Sequence, residues 1–329
     1  MTELDGCSKE NKMNNKILVV GNTTTPHGAE ALIVRALERA NYDVTEVFYP
    51  TYRSDYGIFN DTLDNTIKRV NPGLVICGKV MGLDKDIISY LKKTYGVPII
   101  QITFDLMQKL TFEDRPSWWH PQIEEGGFDW VFGSSDNKEE KETISKFTSK
   151  YSCLREGVDL ELHKPIIISN DKITEDVAFT GSPYNDFRNE MITSMTNDKR
   201  FKFKHYTKSY LNELRDIASY TKMSIGTNYS DDIQGYWSAR TFENMAVGFT
   251  FLTPNIPGMK EEGLIDGKTC VFYDTRNIDD LKEKVMYYKD NLEECNKIRD
   301  NGIKLVFERH TFDERLKEMF KVLKKKKVI

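Results

Sequence analysis

Apolar runs and amphipathic stretches alternate along most of the chain. "KILVVG" (Lys16 to Gly21) is almost wholly apolar, as in a strand buried on both faces. The stretch after it, "GAEALIVRALERANY", puts Leu32, Ile33, Ala36, Leu37 and Ala40 on one helical face. "DVTEVFYP", "PGLVICG", "VPIIQITFD", "FDWVFGSS" and "YSCLREG" read as further short strands, with "DKDIISYLKKTYG" and "NKEEKETISKF" as helices between them. The alternation breaks at a linker and then restarts. "DVAFTGS", "FKFKHY", "KMSIGTNYS", "FTFLTPN" and "TCVFYD" are strands, "YNDFRNEMITSM" and "SYLNELRDIASY" helices. Two more helices are predicted over 278–306 and a last one over 312–327. Strands alternating with helices imply parallel sheets covered on both faces.

The pattern predicts an α/β chain of two tandem Rossmann-like, doubly wound domains facing a cleft. The first spans 16–160, a linker 161–172 and the second domain 173–310, with the last helix in 311–329. Residues 1–15 are polar, without an apolar central stretch, and read as a disordered tail rather than a secretory signal. In open parallel sheets ligands bind beyond the carboxyl ends of the strands. The loops of interest are therefore 22–28, 105–120, 181–188, 227–240 and 253–258.

Composition narrows the classes. The chain has 329 residues, 39% hydrophobic, enough for two cores, and 30% charged. A net charge of −4 gives no basic signal for nucleic acid, and no run of 18 apolar residues exists to span a membrane. Five scattered cysteines without C-x-x-C fit a reducing cytoplasm better than a disulfide framework. Five dispersed histidines give no metal-ligand spacing, so no metal is expected. The Lys324–Lys327 run has two readings, a solvated helix end complementing the dipole or weak contact with an anionic surface.

Most motifs fail on spacing. "EEGLIDGKT" leaves three residues between Gly263 and Gly267 where a P-loop needs four. Asp84 and Asp86 suit the first turn of a helix better than a metal site. No G-x-G-x-x-G follows "KILVVG", and no G-x-S-x-G occurs.

What survives lies in the second domain. In "QGYWSARTFENMAVGFTFLTPN", Phe242, Met245 and Ala246 form the packing face of a short helix, and Arg240 and Glu243 lie on another side near its start. Helix N–H groups there favour anions. Gly181, just after a strand, lets a ligand approach the backbone. With Arg188 and the helix amino end it would cradle a diphosphate without metal. Glu243 would accept hydrogen bonds from neighbouring hydroxyls, such as those of a ribose. The alternative is a surface Arg–Glu pair worth about 0.2–0.5 kcal/mol.

The stretch from Gly235 to Asn291, "RHTFDERLKEMF", "VAFTGSPYNDFR" and "GVDLELHKP" resemble the carboxyl half of group-1 glycosyltransferases, in the branch typified by spore-maturation CgeB-like proteins. The resemblance is good over 178–320 and looser in "KILVVG", "NPGLVICG", "IIQITFD" and "FDWVFGSS". It implies a GT-B fold with a nucleotide-diphosphate sugar, base undetermined, on the second domain. No other cofactor is implied. The acceptor, a glycan, protein or small molecule, would lie on the first domain, and nothing specific supports a nucleic-acid acceptor. The resemblance matches Glu243 to a ribose-binding glutamate, Arg240 to a phosphate-facing base and Gly181 to a glycine at the diphosphate, and has the final helix cross back to the first domain. One departure stands out: many retaining members carry a second glutamate where this chain has Gly235.

An inverting transfer needs a general base from the first domain. Asp105, ending "IIQITF", and His27, in "TTTPHGAE", are the catalytic candidates. Their ordinary readings are a loop-organising carboxylate and a helix cap. Trp118, Trp119 and His120 are read as an acceptor platform or as interdomain packing. Two alternatives to a glycosyltransferase stay open, a non-catalytic GT-B shell binding sugar nucleotides or glycans, and a sugar-nucleotide epimerase.

Overall fold

The computed structural model describes residues 14–49, 56–80, 83, 85–105, 127–166, 172–228 and 235–329. The platform residues Trp118, Trp119 and His120 lie outside these. Strands β1 (Lys16–Gly21), β2 (Asp43–Phe48), β3 (Leu74–Cys77), β4 (Ile99–Thr103), β5 (Trp130–Gly133) and β6 (Tyr151–Cys153) form one parallel sheet in the order β2-β1-β3-β4-β5-β6. Strands β7 (Glu175–Thr180), β8 (Phe203–Tyr206), β9 (Thr221–Ile225), β10 (Thr250–Pro254) and β11 (Val271–Tyr273) form a second, β11-β10-β9-β7-β8, also parallel. Both are doubly wound.

Alternation within β1 divides the first core. Leu18 and Val20 face Phe59, Leu63 and Ile67 of α2 (Tyr56–Val70) and Ile88 and Leu91 of α3 (Lys85–Tyr95). Ile17 and Val19 point the other way, onto Leu32, Ile33 and Leu37 of α1 (Ala29–Arg39). α2 is an element the sequence pattern did not bring out. Its three anchors recur only every fourth residue, separated by Asn60, Asp61 and Asp64.

The second sheet is covered by α5 (Asp186–Asn197) and α8 (Ile278–Asp290) on one face, and by α6 (Asn212–Ala218) and α7 (Arg240–Val247) on the other. The helix α4 (Lys138–Ser145) follows β5, and α9 (Leu292–Arg309) reaches both faces through Ile298 and Val306. The final helix α10 (Phe312–Lys325) returns to the first sheet, where Phe312, Leu316, Met319 and Leu323 share a core with α1. Burial of each stabilises by roughly 1.5–3 kcal/mol. Just past it, the Lys326 ammonium lies 5.1 Å from the centre of the Trp130 ring. No helix among the described residues is long and apolar enough to cross a membrane.

Candidate functional site

Strand order reverses between β1 and β3 in the first sheet and between β7 and β9 in the second. At such points adjacent loops leave in opposite directions and open a crevice. The candidate residues gather beyond these two crevices.

On the second sheet, Arg188 spans the switch. The Asn185 side chain caps α5 by accepting from the Arg188 N–H, which fixes the start of the helix. The buried Arg188 guanidinium donates to Thr227 Oγ1 (2.6 Å), Thr227 O (2.7 Å) and Ser182 O (3.0 Å) and lies over the Tyr184 ring. It thus ties the loop after β7 to the loop after β9. Gly181 follows β7; a Cβ there would come within 2.9 Å of the Phe179 ring, and its carbonyl contacts His205 Nε2 at 2.7 Å.

α7 starts beside that loop. No side chain caps it, and its entry is held by the Ser238 N–H donating to Asn228 Oδ1. The Thr241, Phe242 and Glu243 N–H groups turn back onto the Ser238 and Ala239 carbonyls, which leaves the Arg240 N–H, bonded to no described residue, for an anion. Phe242, Met245 and Ala246 are buried, as the periodicity requires, leaving Arg240 and Glu243 partly exposed. Arg240 makes no hydrogen bond or ion pair with a described residue. Arg240 and Glu243 do not pair with each other; Glu243 Oε1 instead lies 3.9 Å from His163 Nε2.

His163 belongs to the segment joining the sheets, which does more than connect them. Its Nδ1 accepts from the Asp159 N–H (3.1 Å), so the ring proton sits on Nε2, toward Glu243. Burial holds the ring neutral by lowering its pKa. Asp159 is pinned by Arg35 and Arg39 of α1, and Arg39 also grips Asp313 of α10. Arg155 donates to Ser134 O and Gly235 O and pairs with Glu262 and Asp136, locking the loop after β5 to the second sheet. Between these anchors Glu156 projects into the cleft.

Glu156 is half-buried. Burial first, then the Glu243 charge, pushes its pKa from the usual 4.5 up to about 8, against the opposing pull of the Ala239 N–H and Arg240. It also lines a cavity of about 150 Å3 at the first switch point, together with Glu30, Lys79 and Asp105. That volume admits a six-membered ring. Its floor is Val19, Ile33, Ile76 and Ile102. Asp105 Oδ2 pairs with Lys79 Nζ at 2.7 Å, and Glu30 Oε1 accepts from the Lys79 N–H.

His27 lies elsewhere. Its ring stacks on Tyr210, from the loop before α6, with centroids 3.9 Å apart and planes 5° from parallel. It therefore bridges the two units at the cleft's side. It does not cap α1, whose cap residue is Gly28. Among the described residues no three His, Cys, Asp or Glu side chains converge as a metal site.

Gly235 has φ +66°, the left-handed region, and a Cβ there would meet Asp136 Oδ1 at 3.1 Å. Its backbone is the acceptor for Arg155. A glycine at this position serves the junction between the sheets.

The structure thus brings Arg240, Glu243 and Asp105 around one cleft, with Gly181 and Arg188 shaping its second-sheet wall. It adds Glu156, Lys79, Glu30 and His163, which sequence reading missed. The only signal for Glu156 and His163 was their position in "REGVDLELHKP", a segment read as strand end and linker.

Residues 164–321 match the family model described as glycosyl transferase-like. A comparison by sequence with curated proteins returns no match. Solved structures that share the fold include HepE from Anabaena in complex with UDP and glucose, 12% identical with a TM-score of 0.61. A glycosyltransferase from Rickettsia africae is 11% identical with a TM-score of 0.65, and a sucrose-phosphate synthase from Thermosynechococcus elongatus 12% with 0.66. The similarity covers 94%, 94% and 95% of this chain and 99%, 98% and 99% of theirs. The fold is GT-B.

Proposed function

We propose that this chain, a GT-B protein whose carboxyl half matches a glycosyl transferase-like family model, moves a sugar from a nucleotide-diphosphate donor to an acceptor hydroxyl without a metal. The observation that carries the reading is the amino end of α7, where Arg240 pairs with no described residue and Glu243 is held toward His163, facing acidic groups of the other sheet across the cleft. The Arg240 guanidinium and N–H, at the positive end of the helix dipole, suit a diphosphate, and Glu243 suits paired ribose hydroxyls. The HepE structures carry UDP, UDP with glucose, or UDP-glucose, which makes uridine nucleotides the first donors to try. The CgeB-like branch is part of the same proposal, resting on "VAFTGSPYNDFR" and "GVDLELHKP".

In the proposed reaction the acceptor oxygen attacks the anomeric carbon and the nucleoside diphosphate departs. Stabilising its growing charge is the main electrostatic task, met by Arg240 and the helix dipole. The acceptor occupies the first-sheet crevice, where Asp105 is the candidate base. His27, stacked on Tyr210, holds the cleft's side. Arg188 supports the diphosphate loop from behind rather than through a free guanidinium.

The experiment is release of nucleoside diphosphate from UDP-glucose, UDP-N-acetylglucosamine, GDP-mannose and ADP-glucose, with EDTA present. Turnover of one of them supports the reading. Binding without turnover marks a non-catalytic shell, and isomerised donor marks an epimerase.

A further inference from the structure

Glu156 has no place in the reaction as set out above, yet it stands where the two halves of the cleft meet. It reaches that point because its neighbours are fixed on both sides. Arg155 is clamped by Ser134 O, Gly235 O and Glu262, and the Glu156 carbonyl accepts from Arg315 Nε at 3.3 Å. The backbone therefore cannot swing away, and the side chain points at the amino end of α7.

The charges facing it are mostly of its own sign. From α7 come Glu243, which is like-charged, and Arg240; from the turn before it come the Ala239 N–H and the Tyr236 hydroxyl. From the first sheet come Asp105, already paired with Lys79, and Glu30 in the shared cavity. His163 is neutral and turned toward Glu243. Among the described residues no cation forms an ion pair with Glu156. A carboxyl in this setting keeps its proton at neutral pH, and burial is the main reason.

Resting on the reading of this cleft as a donor site, we propose that the Glu156 carboxyl acts as a hydrogen-bond donor to the diphosphate of the nucleotide sugar. An ionised carboxylate beside α7 would repel that diphosphate, while a carboxylic acid supplies it with an O–H. The same bond strengthens as the leaving group gains charge, so it favours departure as well as binding. Glu156 then shares the anion with the Arg240 guanidinium and N–H, and Glu243 keeps the ribose.

The consequence is a donor site that weakens in alkali. Bound diphosphate requires the protonated form of Glu156, so affinity falls as pH rises past about 8, by about tenfold per pH unit. Between pH 7 and 9.5 a terminal phosphate, with its second pKa near 6, is already fully ionised. Arg240 stays charged throughout.

The test is calorimetric titration of the full chain with UDP, and with GDP and ADP alongside, from pH 7 to 9.5 in EDTA. The expected result is a Kd nearly constant to about pH 7.5 that, above about pH 8, rises about tenfold per unit. In Glu156→Gln, which keeps an N–H donor but does not titrate, Kd changes between pH 7 and pH 9 only as far as the base of the nucleotide itself titrates, as read from the free nucleoside. Uridine, lacking phosphate, shows only the loss of its own uracil N3 proton toward pH 9.5, alike in the two proteins. A wild-type Kd that is flat in pH, or the same slope in Glu156→Gln, overturns the inference while leaving the donor site standing. Failure of every nucleotide to bind at pH 7 overturns the donor-site reading and this inference with it.

Discussion

His163 Nε2 lies 3.9 Å from Glu243 Oε1, while its Nδ1 takes the Asp159 N–H. One ring thereby connects a segment held by α1 to the carboxylate at the start of α7. Replacing it with an apolar ring of similar size removes both links. His163→Phe leaves the buried Asp159 N–H without its acceptor, a cost of about 1–3 kcal/mol. It also releases Glu243. We expect a lower Tm together with several-fold weaker nucleotide binding, read by thermal unfolding and titration.

Arg188 predicts a different outcome. Its three bonds to Thr227 and Ser182 are internal. Arg188→Ala strands the Thr227 carbonyl and removes a buried guanidinium, costing about 3 kcal/mol or more. For a domain of 150–250 residues this lowers Tm by roughly 6–12 °C. Denaturant unfolding should show the loss in the absence of any ligand.

A glutamate placed at position 235 should not help. Gly235→Glu forces an L side chain to φ +66° and presses its Cβ toward Asp136. The strain is of order 1–3 kcal/mol, and the Arg155–Gly235 contact at the junction is disturbed. We expect reduced stability and no gain in turnover, measured by unfolding and by nucleoside diphosphate release.

How much of this was legible in the sequence depends on range. The two sheets were readable because runs such as "KILVVG" and "FTFLTPN" are local patterns, and so was the α7 face that leaves Arg240 and Glu243 outside the core. The cleft was not. Glu156 acquires its character from burial and then from Glu243, Asp105 and Arg240, which are brought beside it by the fold. Lys79 meets Asp105 across 26 residues, and His27 meets Tyr210 across the cleft. In Arg188 the residue type was visible, but not that Thr227 would take its donors.

Acid stability carries a further expectation. Burial, and next the Arg315 guanidinium, push the His310 pKa down to about 3. His310 Nδ1 faces Arg315 Nη2 and its Nε2 faces the Glu262 carbonyl, so the neutral ring is already fully bonded. As pH falls below the ordinary 6.5, the unfolded chain takes up a proton that the folded ring refuses. Stability then falls by up to about 1.4 kcal/mol per pH unit through this residue. Glu156, with its raised pKa, acts in the opposite sense over the same range. Comparison with His310→Gln, whose amide offers the same donor and acceptor, isolates the histidine. The Tm loss between pH 7 and pH 5 should be smaller in that variant.

The central claim is that α7 and its neighbours hold a nucleotide sugar, and Glu243 tests it most directly. The measurement is titration of wild type and Glu243→Ala with UDP, GDP and ADP in EDTA. One nucleotide should bind wild type, and the variant should lose about 1.5–3 kcal/mol for each charge-assisted bond removed, with its Tm unchanged. Equal affinity in the two proteins would contradict the account, leaving Glu243 an ordinary side chain beside His163.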